Sequence, residues 1–473
     1  MPKGFWFLWT GILVNQLGSF VILFLAVYLT QVRGFSASAA GIVVSLAYGG
    51  GGLVGTFAGG VLADLLGRRV TILVAHLCTA AATLAMGFVA HPAVLVGCAL
   101  VAGTASNAAR PAASAMIVDL TEGAQRERAF ALQFWAVNAG FACAAVVGGL
   151  LVDTDYRALF VIDAATTVVT AAVVFTKVRE THPATARTTG AETRAGFARI
   201  RRDGPFLALV GLTVLFGVVF MQHISTLPLA LREDGFGSSV YGRLIALNAG
   251  LIIALQLWVP KAVAGRDPAR VLALAAAFMG GGFALLALAH DLRGYVLSTV
   301  VWTAGEMLQA SLVPSLVAAL SPPAARGRYQ GLFAQAFPVA ALVGPALGGV
   351  VLQHLGAGAV WTGCLVLGLL CALGHLAAGP ARRHRLRPVP PHHDRLPDRS
   401  RRGRRRRRGR TGRQPVRRRA RHLLLRGRDD HAPGRARRAP DRRVALRRRA
   451  VLHDRRPVRG RPGGGGAPCG CVS

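Results

Sequence analysis

Three charged side chains fall where a charge is costly. Arg110 lies deep in one long apolar stretch, just before Pro111. Asp163 lies in another, and Glu306 sits well inside a third, in Trp302-Thr303-Ala304-Gly305-Glu306-Met307-Leu308. A charge at the centre of a membrane helix costs about 2.5–3.5 kcal/mol on insertion scales, so each needs a reason. A carboxyl placed there can take a proton from one side of a bilayer and release it to the other, or attract a cation. The plainer readings are a structural ion pair or, for the long Arg110 side chain, snorkelling. Uncharged polar groups fall in similar stretches: Asn15 and Gln16, Ser106 and Asn107, Asn138, Gln222 and His223, Asn248, Gln256, Gln309 and Gln335. Interhelical hydrogen bonds account for some of these. An imidazole such as His223 can relay protons near neutrality, although a lone membrane histidine is more often a packing residue.

No catalytic constellation accompanies these groups. The chain has no phosphate-cradling loop with Gly-Lys-Ser or Gly-Lys-Thr, no Gly-x-Ser-x-Gly elbow and no His-Glu-x-x-His. It is not read as an enzyme. Cys469-Gly470-Cys471 has no matching second pair, so no zinc site and no other metal site is expected. Cys78, Cys98, Cys143, Cys364 and Cys371 lie in apolar segments and read as small buried hydrophobes. The energy source that suits carboxyls in a membrane without ATP is an ion gradient, so the expected cofactor is none beyond a proton gradient.

The elements that position these groups are membrane helices. Of 473 residues 52% are hydrophobic, mean hydropathy is +0.43, and only 16% are charged. A soluble chain carries about 25%. A span needs about 20 apolar residues. Twelve candidates satisfy this: approximately 6–30, 39–64, 70–90, 93–118, 129–152, 157–176, 205–231, 238–260, 271–290, 294–320, 329–353 and 357–379. The first reads as a membrane helix, since it lacks a clear cleavage site. With the N-terminus inside, the loop bases gather on the cytoplasmic side, and only Arg33, Arg157, Arg232, Arg243 and Arg293 fall outside. That asymmetry places both termini in the cytoplasm.

One loop is more specific than the rest. Gly60-Val61-Leu62-Ala63-Asp64-Leu65-Leu66-Gly67-Arg68-Arg69 joins the second and third spans. Gly67 supplies a tight stop, and Arg68 and Arg69 sit where a helix meets water. Spacing, residue types and membrane context together resemble the signature loop of the major facilitator superfamily, a likeness covering roughly residues 5 to 380. The usual Arg after the Asp is Leu65 here, which leaves Arg68 as the main partner for Asp64.

The resemblance implies an all-α membrane protein with twelve transmembrane helices in two six-helix bundles, residues 1–176 and 205–380, joined by a cytoplasmic linker, 177–204. It implies that Gly60, Asp64, Gly67, Arg68, Arg69 and Asp119 form a cluster that latches the cytoplasmic side shut. In this superfamily helices 1, 4, 7 and 10 line the central path, which favours Asn15, Arg110, Gln222, His223 and Glu306 as cavity-facing, with Asp163 and Asn248 as further pathway residues. In its proton-driven exporters a Gly-Pro-two-residues-Gly-Gly motif belongs in helix 5. This chain shows Gly140, Gly148 and Gly149 there without the proline, while Gly344-Pro345 and Gly348-Gly349 carry the intact copy in helix 11. Arg110-Pro111-Ala112-Ala113 with Asp119, and Gly305-Glu306, look like the twelve-helix multidrug efflux branch of drug/proton antiporters.

The expected function is therefore secondary active efflux of small amphipathic compounds, coupled to protons, by a multi-pass cell-membrane protein. The expected partners are a small-molecule substrate, protons and the lipid bilayer, with the chain a monomer. An importer of a sugar or other metabolite on the same fold is the alternative. Features at the starts and ends of helices 5 and 11 recur at an offset of 200 residues: Arg126 and Arg326, Gly148 and Gly348, Gly149 and Gly349. Such recurrence marks parallel repeats. Most of the net charge of +35 belongs to residues 381–473, an Arg-rich tail without Lys or aromatic residues. Its composition reads as disordered. It also reads as a GC-rich frame translated out of register. A tail of this kind can bind nucleic acid or acidic lipid, which is a separate functional class, but without aromatics no nucleic-acid partner is expected.

Overall fold

In hydrocarbon a backbone has no water to bond, so it must bond to itself, and an apolar spanning segment becomes a helix. The computed structural model describes residues 1–152, 155–181, 200–289, 291–322 and 325–386. Within them twelve helices are long and apolar enough to cross a membrane: α1 (Lys3–Gln31), α2 (Ala37–Leu65), α3 (Arg68–Phe88), α4 (Pro92–Leu120), α5 (Arg128–Leu151), α6 (Tyr156–Lys177), α7 (Gly204–Ser225), α8 (Ser238–Leu255), α9 (Pro268–Ala287), α10 (Leu292–Leu320), α11 (Arg328–Leu355) and α12 (Ala357–Leu386). Several start on a side-chain cap. Ser36 accepts the Ala39 N–H, Asp155 the Arg157 N–H, Asp203 the Phe206 N–H, Asp267 the Ala269 N–H and Asp291 the Gly294 N–H. No strand occurs among the described residues.

The count and order match the sequence, and the departures have local causes. The seventh span was expected to run straight to 231. It breaks near Thr226 and resumes as Leu227–Glu233, with Pro228 in the new first turn. The eighth ends at Leu255 rather than 260, because Pro260 opens a separate short helix, Val259–Val263. The twelfth continues past the expected boundary at 380 to Leu386. There Arg382 donates to the His375 carbonyl at 2.6 Å and Arg383 pairs with Asp267 at 2.6 Å. Cys78 and Cys143 are exposed rather than buried. Most of the expected linker and the tail beyond 386 lie outside the described residues.

The helices form two bundles with one packing plan. In the first, α2 packs on α4, α3 on α4 and α6, and α1 on α5 and α6. In the second, α8 packs on α10, α9 on α10 and α12, and α7 on α11 and α12. Each pair in the second list is a pair in the first moved on by six helices, as in a parallel repeat. Between bundles, α5 meets α8, α2 meets α11 and α1 meets α7.

Those inter-bundle contacts are made by small residues at one end of the molecule. We call it the far end, opposite the motif end that carries the Gly60–Arg69 loop. A Cβ added at Gly41 in α2 would collide with the Pro345 carbonyl of α11, and one at Gly242 in α8 would collide with the Ala145 carbonyl of α5. Gly149 and Gly349 face the opposite bundle, the first at the Ser238 carbonyl and the second at the Ala37 carbonyl. Gly140 and Gly148 admit Gln16 and Phe24 of α1, and Gly344 and Gly348 admit Met221 and Gln222 of α7. The missing helix 5 proline therefore changes little: the Ala145 carbonyl makes the approach that the Pro345 carbonyl makes in the other copy. Two hydrogen bonds add to the far-end contact, Ser38 N–H to Gln353 Oε1 at 3.0 Å and Ala346 N–H to Ser45 Oγ at 2.8 Å. At the motif end no hydrogen bond or ion pair between described residues joins the bundles.

Gly242→Val should open the far end without unfolding either bundle, because it overfills only the contact with Ala145, at a cost of about 1–3 kcal/mol. Distances between spin labels on the far ends of the two bundles should lengthen. An unchanged distance distribution would show that backbone approach at Gly242 does not hold this end closed.

Candidate functional site

The motif loop folds around a glycine that no other residue can replace. Gly67 has φ +89 and ψ 158, a conformation essentially confined to glycine, and it precedes the first turn of α3. The free N–H groups of that turn are capped from a distance. The Glu180 carboxylate, just beyond α6, accepts the Arg68 N–H through Oε1 and the Arg69 N–H through Oε2, each at 3.0 Å. An acid at a helix N-terminus is favoured by both hydrogen bonding and the helix dipole. Glu180 escaped sequence reading because a lone acid in a polar loop carries no spacing signal.

The arginines divide. The Arg68 guanidinium pairs with Asp119 at the end of α4 and donates to the Ala115 carbonyl at 3.1 Å. The Arg69 guanidinium lies over the Phe175 ring, 4.2 Å from its centroid. The expected Asp64–Arg68 pairing is not formed: Asp119, one helix over, takes Arg68, and Asp64 is exposed without an ion-pair partner among the described residues. Gly60 likewise faces open space. Asp64 stays within electrostatic reach of Arg68 without forming an ion pair with it.

In the second bundle one carboxylate stands at the middle of its helix. Glu306 is fourteen residues from either end of the 29-residue α10, about 21 Å at 1.5 Å per residue. Its Oε2 accepts from Asn248 Nδ2 of α8 at 2.9 Å, and the same amide donates to Thr303 Oγ1 at 3.0 Å. A turn and a half further along, Gln256 of α8 donates to Ser311 Oγ at 2.9 Å. No base pairs with Glu306 among the described residues. Arg110 is exposed although it lies ten residues in from the end of α4, and it too has no ion-pair partner there. Arg110 and Glu306 form no ion pair with each other.

The remaining candidates serve the two helices that are broken. Helix α1 is interrupted at Gly18 and Ser19, and α7 near Met221 and Thr226. Asp163 of α6 accepts the Val21 N–H at 3.1 Å, and Asn15 Oδ1 accepts from Thr167 at 3.3 Å. Gln222 and His223 were expected to face a cavity, and both are buried instead, at 3% and 6% exposure. Gln222 Nε2 donates to the Val218 and Gly344 carbonyls at 2.9 and 3.0 Å, filling the space opened by Gly348. His223 packs between Phe220 and Trp302, with Nδ1 at 2.6 Å from the Phe220 carbonyl. A broken helix in an apolar bundle leaves N–H and carbonyl groups that must be bonded by protein: Asp163 accepts at the first break and Gln222 donates at the second. Of the expected cavity residues, Arg110 is exposed and Glu306 half-buried, and neither has an ion-pair partner among the described residues.

Comparison with known proteins agrees with this arrangement. The family model described as Major Facilitator Superfamily matches residues 8–334 and again 267–452. An uncharacterized MFS-type transporter, YqjV of Bacillus subtilis, is 28% identical over 389 residues, covering 76% of this chain and 91% of its own. The multidrug resistance protein MdtH of Aeromonas salmonicida is 24% identical over 373 residues, covering 77% and 92%. Among solved structures, a POT family transporter superposes with TM-score 0.71 at 14% identity over 81% of this chain and 97% of that one, and a D-xylose-proton symporter with TM-score 0.65 at 16% identity over 80% and 98%. At such identities the structures share the fold alone.

Glu180→Ala should lower the unfolding midpoint of the purified protein through the lost cap. The exposed position argues for about 0.5–1 kcal/mol. Glu180→Gln, which can still accept hydrogen bonds, should recover part of the loss. Equal midpoints for wild type and Glu180→Ala would rule out the capping role.

Proposed function

The chain belongs to the major facilitator superfamily, and on that premise we propose that it exports small amphipathic compounds in exchange for protons. The observation that carries this reading is Glu306: a carboxylate at the centre of α10, held by a neutral amide and paired with no base among the described residues. A charge in that position is costly, so either a proton or a cationic substrate relieves it. Two ligands that relieve the same charge compete, and competition at one site is what an exchanger needs. The exposed Arg110 gives the opposite sign in the other bundle and would repel a second cation. The resemblance to MdtH, named a multidrug resistance protein, supports efflux over import.

Alternating access follows from the two ends. The hydrogen bonds and closest glycine contacts between the bundles lie toward the far end, and none among the described residues joins the bundles at the motif end. The excess of loop bases supports the motif end as the cytoplasmic one, so the structure is read as open to the cytoplasm. On closing, the partnerless Asp64, in the last turn of α2, meets the first turn of α11, where Arg326 and Arg328 stand at a helix N-terminus. Acid against positive helix end is the favoured sense. Gly60, which faces open space now, gives α11 room to approach.

In an efflux-deficient bacterial host the protein should raise tolerance to several amphipathic cations, and a protonophore should abolish the gain. Glu306→Gln, at equal membrane abundance, should confer no protection. Full protection by that variant would overturn proton exchange at Glu306. Poor abundance with intact coupling would instead mark Glu306 as a packing group bonded to Asn248.

Asp64→Asn should slow transport while leaving abundance and unfolding midpoint unchanged, because Asp64 has no partner in the present state. The lost latch contributes about 0.3–1 kcal/mol, a roughly twofold to fivefold effect on turnover. Wild-type turnover in Asp64→Asn counts against the latch.

A further inference from the structure

The break in α1 leaves a helix start inside the first bundle, and its cap comes from another helix. The second piece of α1, Phe20–Gln31, begins after Ser19, but the Ser19 hydroxyl donates backwards to the Asn15 carbonyl at 2.9 Å and caps nothing. Asp163 Oδ2 of α6 accepts the Val21 N–H at 3.1 Å, while the Phe20 N–H turns back to the Gly18 carbonyl at 2.7 Å. Helix α6 reaches this point because Gly18 has no side chain: a Cβ there would collide with Thr166. Asp163 is 9% exposed, and no base pairs with it among the described residues.

The titratable groups around it are few. Tyr48 of α2 is within electrostatic reach. His76 of α3 is turned to the Ile72 carbonyl, and Tyr28 of α1 is engaged by Arg33 and the Met86 carbonyl. Arg157 of α6 lies over Phe88. Tyr48 belongs to a second irregularity, the π-turn Leu46–Gly50 in α2. Such turns recur at functional sites.

Both irregular segments touch the other bundle. Phe24, one turn into the capped piece of α1, packs edge-on against Tyr241 of α8 at 5.5 Å. Gly49 in the π-turn lies against the Leu342 backbone of α11. One buried carboxylate therefore stands between two segments that carry far-end closure.

We propose that Asp163 is a proton-binding switch for far-end closure, acting through the break in α1 and separate from the substrate site. The charged carboxylate accepts the Val21 N–H at the start of the Phe20–Gln31 piece and keeps that piece seated on the second bundle. A proton taken up on the carboxylate removes the charge that faces the helix N-terminus, loosens the cap, and favours the far-end-open state. Release of the proton restores the cap. This rests on the reading that the bundles alternate, but not on Glu306 as the exchange group.

The test measures conformation without substrate. Spin labels on Val32 and Leu355, exposed far-end residues of the two bundles, report opening by pulsed dipolar spectroscopy. Lowering the pH from about 8 to about 5.5 should raise the open-to-closed ratio of the otherwise wild-type protein roughly twofold to fivefold, the size of a lost charge–dipole cap. Asp163→Asn keeps an acceptor for the Val21 N–H but carries no charge, and it should hold the low-pH ratio at every pH. Glu306→Gln should keep the full pH response, which separates this switch from the exchange site and serves as the deciding variant if Asp163→Asn does not fold. A pH response that survives in Asp163→Asn, or vanishes in Glu306→Gln, overturns the proposal. So does a wild-type protein whose label distances ignore pH.

Discussion

Every departure from a straight helix in this protein must be answered by a protein side chain, because hydrocarbon supplies no hydrogen bonds. The two breaks, in α1 and in α7, are answered differently. The α1 break exposes N–H groups, and the acid Asp163 of α6 accepts that of Val21. The α7 break exposes carbonyls, and the amide of Gln222 donates to Val218 and across to Gly344 of α11. The breaks stand in first helices of the two halves, where α1 meets α7. One fold position repeated in two bundles thus demands polar groups near the middle of an otherwise apolar protein. The first bundle answers with a carboxylate that accepts, and the second with an amide that donates.

The same absence of a hydrophobic drive between helices explains the small residues. Lipid tails are as apolar as leucine, so helices associate through close backbone packing. Gly149 and Gly349 face across the bundles, and Gly148 and Gly348 face within them, in both copies. A contact made largely by glycine backbone against carbonyl oxygen has few interlocking side chains, Phe24 on Tyr241 being one. It can close tightly and also part cleanly, which suits a contact that must alternate. The motif end uses charge instead: Arg68 with Asp119, Glu180 on the start of α3, Arg383 on Asp267. These pairs lie within single bundles and stiffen each as a body, so motion concentrates between bundles.

The fold was legible because length and hydropathy suffice to find spans, and the Gly60–Arg69 loop carries its meaning in consecutive residues. The repeat at an offset of 200 was legible for the same reason. What the sequence could not show was direction. In a helix apolar on all sides, no periodicity separates the face toward a cavity from the face toward a neighbour. Gln222 and His223 therefore looked like path residues and are buried packing groups, whereas Arg110 is exposed and Glu306 half-buried. Partner choice was equally hidden. Asp64 and Arg68 are four residues apart, yet Arg68 takes Asp119, fifty-one positions away, because Asp64 points off the end of α2 while α4 ends beside the loop.

The two intramembrane carboxylates illustrate how surroundings assign roles to one chemical group. Asp163 accepts a backbone N–H at the start of a helix piece, which ties its charge to backbone geometry. Glu306 faces the amide of Asn248, a neutral donor that orients the group while leaving its charge uncompensated. The first arrangement couples charge to helix position and has no room for a ligand, since Gly18 and Thr166 already touch. On the proposed reading, a proton on the first would change shape, and a proton on the second would change affinity for whatever enters beside it. An exchanger needs both effects, and dividing them between bundles lets each be set by a single neighbouring helix.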